Sequence, residues 1–175
     1  AKIISKEKSE RFLKHKISLI QSVLAPDAQN LLIANATQTG VSKIYPVMSD
    51  NVSAKPKDKI QKWQKIVLEN FKQCERADIA FVQEIEPLFC AISKFKKENV
   101  LIFAERDCNI SLENALKNVD KNDEIAVVIG PEGGFSNNEF EKFKKENYNL
   151  ISLGSLIYKA PNAVVAAVSN VVSRL

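Results

Sequence analysis

The sequence predicts an α/β fold, a mostly parallel sheet with helices on both faces. Short apolar runs such as Ile125-Ala126-Val127-Val128-Ile129 read as strands buried on both sides. Such runs alternate with segments of helical periodicity, the order expected of parallel strands joined by helical crossovers. Three of the five glycines fall in one stretch, Gly130-Pro131-Glu132-Gly133-Gly134-Phe135, between a strand and a helix start.

Residues 17–24 read as the first strand. Ala25-Pro26-Asp27 opens a helix in which Ala28, Leu31, Leu32, Asn35 and Ala36 share a face, and Gly40 stops it. Residues 43–48 suit a short strand, which Pro46 assigns to a sheet edge or a strand end because proline cannot donate to a ladder. A lysine-rich connection at 55–59 follows. Over 58–75 apolar residues recur at Ile60, Trp63, Ile66, Val67, Phe71 and Cys74, the spacing of one face of an amphipathic helix. Residues 87–97 are expected to be helical, 100–104 a buried strand, 111–118 a helix and 124–129 a strand. Ser136-Asn137-Asn138-Glu139 has the capping-box pattern, so the next helix starts at the glycine loop's exit and turns Phe140 and Phe143 inward. Residues 150–153 form a further strand. After Gly154, the Ala/Val-rich 161–173 reads as a helix with Pro161 in its first turn.

With 175 residues and 45% apolar content the chain can build one full core. No window approaches the ~20 apolar residues of a membrane span, and no signal-peptide pattern occurs, which points to a cytoplasmic protein. Cys74, Cys90 and Cys108 lack any Cys-x-x-Cys pairing and are odd in number, so they are expected to be reduced and mostly buried, with no metal site. His15 is the single histidine, which disfavours Ser/His or Cys/His catalysis. Lys2, Lys6, Lys8, Arg11, Lys14 and Lys16 against Glu7 and Glu10 carry the whole net charge of +4 in residues 2–16. Such a patch suits a phosphate-rich partner, although short Lys/Arg runs are more often plain solvated surface.

Glycine lacks the Cβ that forbids positive φ and holds ligands off the main chain, so the 130–135 loop is the candidate site. Neither a Gly-x-Gly-x-x-Gly pattern nor a P-loop is present. The loop lies at the carboxyl end of a parallel strand, where open α/β sheets bind ligands, and Gly154 ends the next strand similarly. Two such loops could clasp one cofactor. A tight turn, a phosphate cradle and a cofactor loop all remain open on these grounds.

The string from Ile129 to Ser136, with Glu139, resembles the hallmark of the bacterial 16S ribosomal RNA uridine-N3 methyltransferases, members of the SPOUT superfamily. Ala36-Thr37-Gln38-Thr39-Gly40-Val41 is similar to the family's Lys-Ala-Thr-Glu-Leu-Gly-Val, Gln73-Cys74-Glu75-Arg76 to its Glu-Gln-x-x-Arg, and Leu153-Gly154 with Ile157 also match. The resemblance covers residues 17–175 and implies an S-adenosylmethionine-dependent enzyme with a C-terminal trefoil knot. It further implies a homodimer joined through helices flanking the knot, acting on 16S ribosomal RNA or the small ribosomal subunit. By similarity, the cofactor would lie among Phe103, Ala104 and Glu105, then Ile129, Gly130, Glu132, Gly133 and Gly134, then Leu153, Gly154, Ile157 and Tyr158. Transfer to N3 of a splayed-out uracil needs loss of the imide proton and a cation for the charge that develops on the ring. Arg76 and Lys159 are the expected catalytic residues.

Two departures from the family pattern stand out. Where relatives read Leu-Gly-x-Arg-Ile-Leu-Arg-x-Glu-Thr-Ala, this chain has Leu156 and Lys159 for the arginines and Pro161-Asn162 for Glu-Thr. Lys159 keeps a charge without the planar fork of arginine. The family also carries an RNA-binding, PUA-like β-barrel ahead of the methyltransferase domain, and residues 1–16 are expected to be its remnant or linker. The rival expectations are a degenerate homologue that binds RNA or cofactor without methyl transfer, and an unrelated α/β nucleotide-binding protein.

Overall fold

The computed structural model describes residues 11–53 and 59–175. The expected barrel remnant at 1–16 and the lysine-rich connection at 55–59 therefore lie largely outside the described residues. In chain order the elements are β1 (Ile17–Ser22), α1 (Pro26–Gln38), β2 (Lys43–Met48), α2 (Ile60–Gln73), β3 (Phe81–Val82), β4 (Glu86–Pro87) and α3 (Leu88–Ile92). A 3-10 turn then leads to β5 (Val100–Phe103), α4 (Leu112–Asn118), β6 (Ile125–Ile129), α5 (Asn137–Lys145), β7 (Asn149–Ile151) and α6 (Ala160–Val172).

The strands form one sheet in the order β3-β2-β1-β6-β5-β7, with β4 also on β2, and every pairing is parallel. Alternate residues enter two separate cores, as a sheet covered on both faces requires. Leu19, Val127 and Leu101 pack under α1, α2, α4 and α6. Ile20, Val128 and Ile102 face α3 and α5. Phe135, Phe140 and Phe143 anchor the second core, none more than 2% exposed, and each burial contributes about 1.5–3 kcal/mol.

Several elements differ from expectation for definite reasons. β2 is neither an edge strand nor ended by Pro46: Pro46 pairs with Gln21 of β1, and on the other side it falls between the pairings of β3 and β4, where no ladder bond is missed. Helix α1 buries Gln29, Leu32, Ile33, Ala36 and Thr37, one position round from the expected face. Leu31 is instead 53% exposed, and Asn35 donates from Nδ2 to the Pro161 carbonyl of α6 at 3.0 Å. The helix expected over 87–97 stops at Ile92, because the chain turns to set Phe95 edge-on against Tyr45, with ring centres 5.6 Å apart. β3 and β4, two residues each, are too short to leave a periodic signal.

From β7 at the sheet edge the chain returns across the ends of β5 and β6, and α6 then packs on α1 and β6. This return path is the one a C-terminal knot needs. It gathers the ends of three strands at one place.

Candidate functional site

The glycine loop is fastened from several sides. At its exit Ser136 caps α5: its Oγ accepts from Glu139 N, while Glu139 Oε2 accepts from Ser136 N at 2.7 Å. The other oxygen of this buried carboxylate accepts from Asp50 N at 3.0 Å, tying the loop after β2 to the glycine loop. Asn51 reinforces the tie, its Nδ2 donating to the carbonyls of Gly133 (3.3 Å) and Gly134 (3.1 Å). At the entrance the fully buried Gln21 donates to Gly130 O at 3.1 Å, and Glu132 Oε1 accepts from Ala25 N at 3.2 Å where α1 begins. Glutamate at a helix N-terminus also suits the helix dipole.

Two of the glycines are needed for shape. Gly134 has φ +68°, a left-handed conformation, and a Cβ there would come within 2.5 Å of Glu105 Oε1. A Cβ on Gly130 would press on the Phe135 ring at 3.3 Å. At Gly134 the left-handed backbone itself favours glycine, and at Gly130 the Phe135 ring would have to give by a few tenths of an ångström.

The ends of β5, β6 and β7 and the first turns of α1 enclose a cleft of about 880 Å³. All the residues expected at the cofactor are on its wall: Phe103, Ala104 and Glu105 after β5, Ile129, Gly130, Glu132, Gly133 and Gly134 after β6, and Leu153, Gly154, Ile157 and Tyr158 after β7. Lys159 joins them, and its ammonium makes no hydrogen bond or ion pair among the described residues. Ile157 is 86% exposed and Leu156 71%, so they form an outer lip and not the floor.

Arg76, expected to be catalytic, lies away from this cleft. Its guanidinium donates to the carbonyls of Thr37 (2.7 Å), Val41 (2.9 Å) and Gly40 (3.4 Å) and pairs with Asp78 at 2.8 Å. Those carbonyls lie in the last turn of α1 and in the loop that follows it, whereas the cleft meets the helix's N-terminal end at Asp27, Ala28 and Leu31. From Ala28 to Thr37 the helix rises about 14 Å. Arg76 ties the end of α1 to the loop that follows it, a place where side-chain donors commonly bind carbonyls.

The cysteines are unpaired thiols, but Cys90 and Cys108 are exposed where burial was expected. Cys108 sits in the loop after β5 and donates from Sγ to Ala104 O at 3.4 Å. Partial burial, then the charges of Glu105 and Asp107, push its thiol above the ordinary range, the opposite of an activated nucleophile. Among the described residues no group of His, Cys, Asp and Glu could hold a metal ion. No described helix is long and apolar enough to cross a membrane.

The sequence reading did not foresee Gln21, Asp50, Asn51 or the α1 wall of the cleft. Gln21 and Asn51 reach partners 109 and 82 residues away, and no local pattern encodes such pairings.

A sequence model of the RNA methyltransferase domain matches residues 11–172. The Ribosomal RNA small subunit methyltransferase E of Rickettsia conorii is 28% identical over 166 residues, covering 91% of this chain and 65% of the relative. That of Aquifex aeolicus is 30% identical over 163 residues, covering 87% of this chain and 66% of the relative. The chain thus spans about two thirds of the length of these curated relatives. The crystal structure of the Neisseria gonorrhoeae Ribosomal RNA small subunit methyltransferase E bound to S-adenosyl methionine superposes with a TM-score of 0.82 at 23% identity, over 94% of this chain and 68% of that one. An unrelated nucleotide-binding protein is thereby excluded: with its matching domain model and its parallel sheet ending in one glycine-lined cleft, the chain belongs to the RNA methyltransferase domain family.

Proposed function

We propose that this protein is an S-adenosylmethionine-dependent methyltransferase acting on N3 of a uridine in 16S ribosomal RNA, as a cytoplasmic homodimer. The observation that carries the reading is the convergence of the three loops after β5, β6 and β7 on one cleft, in a chain of this family. The residues suit the cofactor: Phe103, Ile129, Leu153 and Leu31 offer apolar surface for an adenine ring, and the glycine loop brings backbone within reach of polar edges. The group supplies, when bound, an electrophilic methyl on a sulfonium.

Everything else falls to the chain. Gln21, Asn51 and Glu139 hold the loop wall in a fixed shape, and Leu156 and Ile157 form a lip that can exclude water. Lys159, unpaired at the cleft, offers a cation near the reacting centre. Apolar surface at Leu31, Leu156, Ile157 and Val165 supports dimer formation beside the site.

One observation favours a second reading, a homologue that binds cofactor or RNA without transfer: the guanidinium of Arg76 is spent on backbone carbonyls away from the cleft. Methyl-labelled cofactor and small ribosomal subunits lacking the modification separate the two. Label at N3 of a single uridine is expected; cofactor binding without any label would favour the second reading.

A further inference from the structure

Beside the cofactor cleft lies a second, polar cleft of about 560 Å³, lined by Asn51, Glu105, Arg106, Ser136 and Asn137. It shares Glu105, Gly133 and Phe135 with the larger one, so a group seated in it would border the cofactor. Most of its polar atoms are already used. Ser136 Oγ donates to Asp50 at 2.5 Å and accepts from Glu139 N, Asn137 Oδ1 accepts from Arg106, and Asn51 Nδ2 holds the glycine loop.

Two charged groups are not used up. Arg106 is held at one end only: Nη2 donates to Asn137 Oδ1 at 2.9 Å and to Phe135 O at 3.4 Å, and its guanidinium carbon lies 4.7 Å from the centre of the Phe140 ring. Its Nε and Nη1 have no partner among the described residues. The Glu105 carboxylate, lying over Gly134, likewise makes no hydrogen bond or ion pair among them. The two are sequence neighbours of opposite charge, yet they do not pair with each other. Arg106 is also fixed at the N-terminal end of α5, where the helix dipole disfavours a cation, so helix stabilisation does not account for it.

We infer that this cleft receives the imide edge of the target uracil, with Arg106 donating to a ring oxygen and Glu105 taking the N3 proton. The inference rests on the function proposed above and assigns to Arg106 the role expected of Arg76. An ionised carboxylate only accepts and a guanidinium only donates. Uracil offers the matching pattern, an N–H beside a carbonyl oxygen. Cytosine would turn its N3 acceptor toward the carboxylate and its amino donor toward the guanidinium, and a phosphate would be repelled by Glu105. In the step, the N3–H bond breaks, its electron pair stays on the ring as negative charge shared with the oxygens, and the proton passes to the Glu105 carboxylate. Arg106 stabilises the charged ring. Glu105, exposed and without a hydrogen bond or ion pair among the described residues, can then withdraw and release the proton to solvent.

The test compares Arg106→Ala and Glu105→Gln with the wild-type protein on small ribosomal subunits, together with calorimetric S-adenosylhomocysteine affinity. Each variant is expected to lose about a hundredfold in kcat, and in Arg106→Ala, which lies outside the cofactor cleft, cofactor-product affinity stays within about threefold of wild type. Glu105→Gln should recover part of its rate as pH rises to where uracil ionises unaided. The NMR signal of Arg106 Nε–H should shift with a uridine trinucleotide and stay in place with the cytidine analogue. Wild-type kcat in either variant, loss of S-adenosylhomocysteine affinity along with kcat in Arg106→Ala, or equal NMR shifts would overturn the assignment. A wild-type protein that binds cofactor but methylates no uridine would instead sink the proposed function, and this inference with it.

Discussion

Gly134→Val tests whether the glycine loop is a wall of the cofactor cleft. The residue's φ of +68° costs an L-amino acid about 1–2 kcal/mol, and a β-branched side chain belongs at the upper end. The new Cβ would meet Glu105 Oε1 at 2.5 Å, but that carboxylate is the far end of an exposed, flexible side chain and can swing aside cheaply. A loss of about 2 kcal/mol follows, a fall of about 4–8 °C in Tm for a chain of this size. The fold and the dimer should survive this, whereas the wall, with valine methyls in the cleft and Glu105 displaced, should no longer admit the cofactor. Gly154→Ala is the control: its φ of +109° carries strain, but nothing lies within 4 Å of the added Cβ. Thermal unfolding, sedimentation and calorimetry with S-adenosylhomocysteine read the three consequences. Wild-type affinity in Gly134→Val would refute the placement of the site in this loop.

Arg76→Ala should cost about 3 kcal/mol, because it strips the charged donor from three carbonyls in the last turn of α1 and the loop after it, while S-adenosylhomocysteine affinity stays within about threefold. Lost binding at unchanged Tm would return Arg76 to the site. Gln21→Met removes the buried donor to Gly130 O and should weaken cofactor binding about fivefold by calorimetry, the equivalent of one hydrogen bond of about 1 kcal/mol. Lys43 is held above its ordinary pKa of 10.5, chiefly by its hydrogen bond to Glu124, which also accepts from Ser18. A raised pKa means a contribution fully present below pH 10.5 and lost as pH climbs through the folded value. The Tm of Lys43→Met should therefore fall less steeply than that of wild type between about pH 10 and 12, and parallel curves would contradict the assignment.

Much of the fold was legible because each element carries a local signal. The apolar runs of β5 and β6, the capping box at Ser136 and the proline that opens α6 each act within a few residues, and all appear in the structure. Less legible was everything decided by partners far along the chain. The α1 face is one position off because α6 and the cleft claim Leu31 and Asn35, which only the tertiary fold can dictate. The three cofactor loops could be named from the resemblance, but not the residues that fasten them. The placement of Arg76 away from the cleft was illegible for a related reason: a motif fixes which residue is present, not which carbonyls it will satisfy. Arg106 passed unnoticed as one more surface charge, since its relation to Asn137 and Phe140 spans more than thirty residues.

The central claim is that the loops after β5, β6 and β7 form one methyl-donor pocket. Calorimetric titration of the protein with S-adenosylhomocysteine tests it most directly. One site per chain at micromolar strength, roughly 8 kcal/mol, is expected, with no heat from ATP. Absence of S-adenosylhomocysteine binding, or comparable binding of ATP, would contradict it.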